Sequence, residues 1–305
     1  MTRRSLNILS VLVVGVCMLA LTAAAPAGVS KRGAAADVDW NAVAQAVGVP
    51  GTMQAGGVFR IDLPRTDLHV KLDHVRLKPA FALGGYLVFL PTGGSNAMLM
   101  GDLVLTESEI EPAMAKLEQG GVEVAAIHNH LLWEKPTVMY MHVMVTGDAV
   151  HLAQAVHDAL ALTKTPLHAQ KPSPKDQKVD LDTAALDQTI GVTGKISGGV
   201  YKFSIAPKYQ VTSGGMTLPP SMGTTTGFAF QPLGKGRAAI TGDFALLGSQ
   251  VNPVIRALRA NGILVTALHS HMLDAQPTVF FMHFFATGDA IALARGLRAG
   301  LDAMA

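Results

Sequence analysis

Cysteine is almost missing from the 305 residues: the single thiol, Cys17, lies in an N-terminal apolar segment. Once that segment is removed the chain has no disulfide, no thiolate metal site and no cysteine nucleophile, so any chemistry falls to His, Asp, Glu and Ser. Charge is sparse at 15%, and the +2 balance of 24 basic against 22 acidic residues comes from Arg3 and Arg4, in that same segment. A neutral remainder without a basic stripe cannot hold a nucleic-acid backbone, which excludes nucleic acid as a partner. After the first segment no stretch comes near 18 uninterrupted apolar residues, so no transmembrane span is expected in the processed chain. There is no G-x-S-x-G elbow and no H-E-x-x-H helix, and Gly84-Gly85 and Gly93-Gly94 lack the strand-loop-helix context of a phosphate cradle. With 49% hydrophobic residues the chain has ample material for a core, which rules out disorder as its main state.

Residues 1–27 read as a signal peptide. Arg3 and Arg4 open it, an apolar run extends from Leu6 to Leu21, and Ala25-Pro26-Ala27 has the A-x-A form that a signal peptidase accepts. Export to the periplasm or secretion is expected, with an uncleaved anchor as the alternative. Lipid attachment at Cys17 is disfavoured because bulky Val16 precedes it.

The chain carries its own copy. Gly101–Leu160 set against Gly242–Leu301, at an offset of 141, matches at 24 of 60 positions without a gap. Pro112 meets Pro253, Gly121 meets Gly262, and Thr146-Gly147-Asp148-Ala149 meets Thr287-Gly288-Asp289-Ala290. Upstream, Val58-Phe59-Arg60 corresponds to Val200-Tyr201-Lys202, Phe89 to Phe230, and Asp39 to Asp180. Two units are expected, 38–162 and 179–303, joined by a Lys- and Pro-rich linker at 163–178, within the usual domain size. They should pack as a pseudo-dimer about a two-fold axis.

Within each copy the apolar period changes in a fixed order. Ala97–Leu105 reads as a strand, and Ser108-x-x-Glu111 has capping-box spacing for a helix with Pro112 in its first turn and Gly120-Gly121 at its end. Val122–Leu132 and Thr137–Thr146 read as strands, and Asp148 is placed to cap a last helix. Phe59–Leu63, His69–Leu77 and Gly85–Leu90 add further strands. The fold class is α+β: two tandem similar units, each an antiparallel sheet with helices packed on it, around a β-α-β-β-α core in ferredoxin-like style.

The histidines carry the chemistry. His128-x-His130 on a strand puts both imidazoles on one face, about 6.6 Å apart. If the next strand returns with pairing centred at residue 135, His142 stands opposite His128, and any even register keeps the three rings on one face. Three neutral imidazoles are the protein half of a zinc or copper site. The trio recurs as His269, His271 and His283. Glu134, and Asp274 in the second copy, are the nearest carboxylates to complete each set, or Glu134 to serve as a base. The longer reach of Glu134 and the bulk of Trp133 predict two inequivalent sites, with the first copy binding more tightly. No catalytic residue is assigned. His69, His74, His151, His157 and His168 have no counterparts and read as surface or local structural residues. Met139, Met141 and Met144 read as core packing, and the duplicated Gly101-Asp102 and Gly147-Asp148 as turn and helix-cap pairs. The alternative reading of the trios is a metal-free envelope module whose histidines are core groups or contact a ligand, its partner a small molecule or an envelope component.

Leu83-Gly84-Gly85, Gly101-Asp102, His128-Asn129-His130 with Glu134-Lys135-Pro136, and Met141-His142 resemble the LppY/LpqO family of envelope proteins, and the second copy does so equally through Gly242-Asp243, His269-Ser270-His271 and Met282-His283. The resemblance spans two tandem copies and implies an exported envelope protein. It implies no activity, the family being one of unknown function. The chain departs from the lipoprotein members at Cys17, and has Ser270 where Asn would stand.

Overall fold

A computed structural model describes residues 37–169 and 178–305. The signal-peptide reading and residues 170–177 of the linker therefore lie outside the described residues.

The first repeat begins with α1 (Trp40–Val47), capped by the Asp39 carboxylate and closed by Gly48 in the left-handed region. Then come β1 (Gly51–Gln54), β2 (Val58–Pro64), a short hairpin of β3 (Lys71–Leu72) and β4 (Val75–Arg76), and α2 (Pro79–Ala82). The expected β-α-β-β-α core follows: β5 (Gly84–Gly93) leads into β6 (Asn96–Thr106), α3 (Glu107–Gln119), β7 (Val124–His128), β8 (Val138–Asp148) and α4 (Ala149–Leu160). The second repeat runs α5 (Thr183–Ile190), β9 (Lys195–Ser197), β10 (Val200–Ile205), β11 (Val211–Ser213), β12 (Met216–Leu218), β13 (Thr226–Gly234), β14 (Arg237–Leu246), α6 (Gly248–Ala260), β15 (Leu264–His269), β16 (Phe280–Asp289) and α7 (Ala290–Asp302). Each repeat builds a six-stranded antiparallel sheet, ordered β1-β2-β5-β6-β8-β7 and, equivalently, β9-β10-β13-β14-β16-β15.

Several boundaries differ from the sequence reading. The helix α3 starts two residues early: Thr106 is its N-cap and Glu109, not Glu111, completes the box by accepting from the Thr106 N–H at 2.9 Å. Glu109 is preferred because Arg65 also holds it there, and Pro112 accordingly falls inside the helix. The strand expected over 122–132 is only β7, since the chain turns after His128 into a loop with Trp133 at positive φ. The strand expected over 69–77 is the β3–β4 hairpin, turned at Asp73 with φ 51°. The cap equivalent to Asp39 is Asp182 rather than Asp180.

Strand parity explains what each sheet face does. Odd residues of β6 and β8, among them Leu99, Leu103, Leu105, Met141 and Val143, pack against α1, α3 and α4 in the helical core of the first repeat. Burial of each such aliphatic side chain contributes roughly 1.5–3 kcal/mol. Even residues point the other way and meet the second repeat: Met98 and Met100 pack with Ala245, Val279 and Phe281, while Val104 and Tyr140 pack with Val200, Ala229 and Phe285. The two sheets therefore stack between outer helical layers, and both faces of β6 are buried, which is why Ala97–Leu105 reads as an almost continuous apolar run. Each small hairpin laps onto this shared core, Leu72 and Val75 in one cluster and Val211 and Leu218 in the other.

Candidate metal centre

The histidines sit on the inward, even-numbered face. β7 and β8 pair with Ala126 opposite His142 and His128 opposite Tyr140, two residues from the expected register but still even, so His128 and His142 share a face. In the second repeat Ala267 faces His283 and His269 faces Phe281, the same arrangement 141 residues on. Because both inward faces meet, the two trios merge into one cluster of six.

The rings are layered about a pseudo-two-fold axis. His128 and His269, equivalent residues, stack on each other with centroids 3.4 Å apart. His130 stacks on His283 at 3.7 Å, and its symmetry counterpart His271 stacks on His142 at 3.9 Å. Tyr140 covers His130 and Phe281 covers His271, at 3.3 and 3.5 Å. The repeats are tied beside the cluster by the Thr266 hydroxyl donating to the His130 carbonyl at 2.5 Å and the Asn129 amide donating to the Thr266 carbonyl at 3.3 Å.

Ligand atoms within 4.8 Å of one another form overlapping sets: His128, His142, His269 and His271; His128, His130 and His283; and Asp102, His130 and His142. The axis carries the first set onto one that contains the second, and His128 serves both. Two separate and inequivalent sites, as the sequence suggested, do not exist in this arrangement.

Hydrogen bonds to backbone carbonyls aim the rings. His283 donates from Nδ1 to the Gly242 carbonyl at 3.0 Å, His142 bonds the equivalent Gly101 carbonyl, and His128 Nδ1 meets the Asn129 carbonyl at 3.1 Å. Such bonds leave Nε2 as the free lone pair. Among the described residues, nine buried side-chain nitrogen or oxygen atoms have no hydrogen-bond partner, and all nine belong to this cluster: Asp102 Oδ1, Nε2 of all six histidines, and Nδ1 of His269 and His271. An unsatisfied buried polar atom costs about 1–3 kcal/mol, a cost that a bound ion or water at this cluster would relieve.

Electrostatics agree with that chemistry. Burial lowers every one of the six histidines, His128 to about 4 and His269 to about 3, with neighbouring imidazoles adding to the effect in all but His128. At neutral pH they are uncharged, the form that donates to a metal. Burial pushes Asp102 up to about 8, with Asp243 adding to it, and pushes Asp243 up to about 7.

Asp102 and Asp243 are the residues that sequence reasoning misplaced. They are not in turns: each lies in mid-strand, paired across the ladder with His142 and His283 respectively, and Asp102 Oδ1 is 3.7 Å from His142 Nε2. The repeated Gly-Asp dipeptide was the available signal. Its glycine is needed for close approach, since a Cβ on Gly242, at φ 153°, would lie 1.9 Å from the Gly227 carbonyl oxygen. The Gly147-Asp148 reading is correct, Asp148 accepting from the His151 N–H at the start of α4.

The two carboxylates expected to complete the sites stand apart from the histidine sets. Glu134 is buried with its carboxylate toward the Val138 N–H at 3.5 Å, and Asp274 is engaged by the Ser213 hydroxyl and the Gly214 N–H. Neither belongs to the sets above, because the loop after each HxH strand turns back onto a hairpin, through the bridges Lys71–Lys135 and Thr212–Gln276, and carries the acid away. Met141 lies in the helical core and Met144 at the interface between sheets.

The family described as Domain of Unknown Function (DUF1259) matches residues 41–162 and 184–303. The chain belongs to this family, in two tandem copies. No curated protein matches it in sequence. Among solved structures it is similar to the trimeric bacterial microcompartment shell protein PduB, at 12% identity over 83% of this chain and 89% of that one, with a TM-score of 0.21. EtuB from Clostridium kluyveri shares 12% identity over 83% and 88%, at 0.20, and the double-ringed trimeric shell protein MSM0271 from the RMM microcompartment shares 10% over 70% and 85%, at 0.19. TM-scores this low say nothing of what the chain does.

Proposed function

We propose that this is an exported metal-binding protein whose two repeats together hold Zn²⁺ or Cu²⁺ at one shared histidine centre. The observation that carries the reading is the confinement of all nine partnerless buried polar atoms to six neutral histidines and one aspartate. The donor set is imidazole nitrogen with carboxylate oxygen to hand, which suits these two ions. Bound metal would supply Lewis acidity there, while the chain's own groups orient the rings through the Gly101, Gly242 and Asn129 carbonyls.

Export rests on Arg3, Arg4, the Leu6–Leu21 run and Ala25-Pro26-Ala27, and on the resemblance to the LppY/LpqO envelope proteins. Among the described residues no helix is long and apolar enough to cross a membrane.

The test is elemental analysis of protein recovered from the periplasm without a histidine tag, then reconstituted with Zn²⁺ or Cu²⁺. The expected result is near-stoichiometric metal in a chain whose N-terminus lies near Gly28. Less than about 0.1 ion per chain after reconstitution overturns the metal reading, because open histidine sites fill under those conditions.

A further inference from the structure

A cavity of about 330 Å³ opens between the repeats, with His130, His271 and His283 in its wall. Its size is at the small end of ligand pockets, which run from about 300 to 1,000 Å³. Two cations also line it, Arg60 from β2 and Lys202 from β10. These are equivalent residues: Arg60 pairs with Val88 and Lys202 with Ala229, positions 141 apart. The axis therefore brings one cation from each repeat to the same opening.

Like charges do not converge without cost, and here they are offset only in part, chiefly by Asp62. Arg60 lies over the Tyr86 ring at 4.2 Å and, among the described residues, its side chain bonds only Asp62, through Nε at 2.7 Å, with that carboxylate 68% exposed. The Lys202 ammonium has no hydrogen bond or ion pair among the described residues, and burial followed by the charge of Arg60 works against it, with Asp62 acting the other way. Of the lining carboxylates, Asp102 feels the charge of Arg60 without bonding it, its Oδ1 lying 3.7 Å from His142 Nε2, and Asp243 is held by the Gly227 N–H. The free donors of a guanidinium and an ammonium at the mouth of a polar cavity match a small oxyanion.

We infer that this cavity binds a small anionic molecule, a carboxylate or phosphate compound, with its oxyanion held between Arg60 and Lys202 and its remainder directed toward the histidines. The site goes beyond the metal reading and does not need a metal to form.

The experiment is calorimetric titration of the full chain at low salt with two probes, inorganic phosphate and malonate, in chelator-stripped and in zinc-treated protein. At least one probe should bind the stripped wild type with a Kd below about 10 mM. Arg60→Gln and Lys202→Gln should each weaken that binding about tenfold, and the double variant should abolish it, the loss expected for a charge-assisted hydrogen bond. The preferred probe tells phosphate compounds from carboxylates. Zinc uptake and the circular dichroism spectrum should match wild type in all variants, showing that the fold and the histidine cluster are intact. Absence of binding by both probes, or a double variant that binds as wild type does, overturns the inference. So does binding seen only in zinc-treated protein and indifferent to both substitutions, since the anion would then be a metal ligand. Failure of zinc to bind refutes the metal reading alone, because the stripped arm still reports on Arg60 and Lys202.

Discussion

Replacing His128 by alanine separates a shared centre from two independent ones with one change. His128 stacks on its equivalent His269 across the pseudo-two-fold axis and belongs both to the four-nitrogen set with His142, His269 and His271 and to the set with His130 and His283. If each repeat bound its own ion, the second trio would keep half the metal at full affinity. In the shared centre both sets lose a ligand. Four-ligand structural zinc sites bind with about 10–16 kcal/mol, or roughly 2.5–4 kcal/mol per ligand. Losing one should weaken zinc about 100- to 1,000-fold everywhere in the cluster. Competition against a chelator of known affinity reads this directly, and metal-free melting checks that the variant folds. Zinc at 1,000 times its Kd stabilises wild type by about 4 kcal/mol, which for a chain of this size raises Tm by about 8 °C. At the same zinc concentration a variant weakened 100-fold keeps a shift of only about 3 °C. His151→Ala, at an exposed position on α4, should leave both readouts unchanged. A His128→Ala protein that retains half its zinc at wild-type affinity refutes the shared centre.

Arg65 is fully buried and bonds Asp67, the Val104 carbonyl and Glu109, so Arg65→Met should lower stability to urea by about 3–5 kcal/mol by leaving Glu109 unpaired. Burial acts to raise Glu109, but hydrogen bonds from Arg65 and from the Thr106 and Lys164 N–H groups hold its carboxyl below the usual range. A depressed folded pKa contributes stability above the unfolded value, about 4.3, and that stability is lost as pH falls through the folded value. Melting curves of Glu109→Gln should accordingly fall less steeply in acid than those of wild type, and equal slopes count against the pair. Gly242→Ala should unfold the second repeat or displace Asp243, since its Cβ would lie 1.9 Å from a backbone oxygen, whereas Gly101→Ala meets the ends of Val143 and Leu87 side chains at 2.8–2.9 Å and backbone no closer than 3.4 Å and should be milder by thermal melting. Asp148→Ala and Asp289→Ala each remove a helix cap and should cost about 1 kcal/mol, additively, in chemical denaturation.

The duplication, the β-α-β-β-α order and the six histidines were legible in the chain because they are local or periodic: an offset of 141, a helix period between two strand periods, and the alternation that keeps His128 and His130 on one face. The register stayed open in the sequence, and burial decides it as even, since an odd one would turn Met141 and Val143 out of the helical core and His142 into it. The capping box was misread by two residues because Thr106/Glu109 and Ser108/Glu111 satisfy the same pattern, and only the long-range partner Arg65 selects between them. Glu134 and Asp274 looked like ligands because sequence distance stands in for spatial distance only until the chain turns, and each loop turns onto its hairpin. Asp102 looked like a turn residue because glycine before it suggested one, whereas cross-strand pairing with His142 is invisible one strand at a time. The sequence alone settled that there were two copies of a histidine face. That those faces meet, merging two trios into one centre and aligning Arg60 with Lys202, was decided by the packing of sheet against sheet, because apposition of two surfaces depends on residues far apart in the chain.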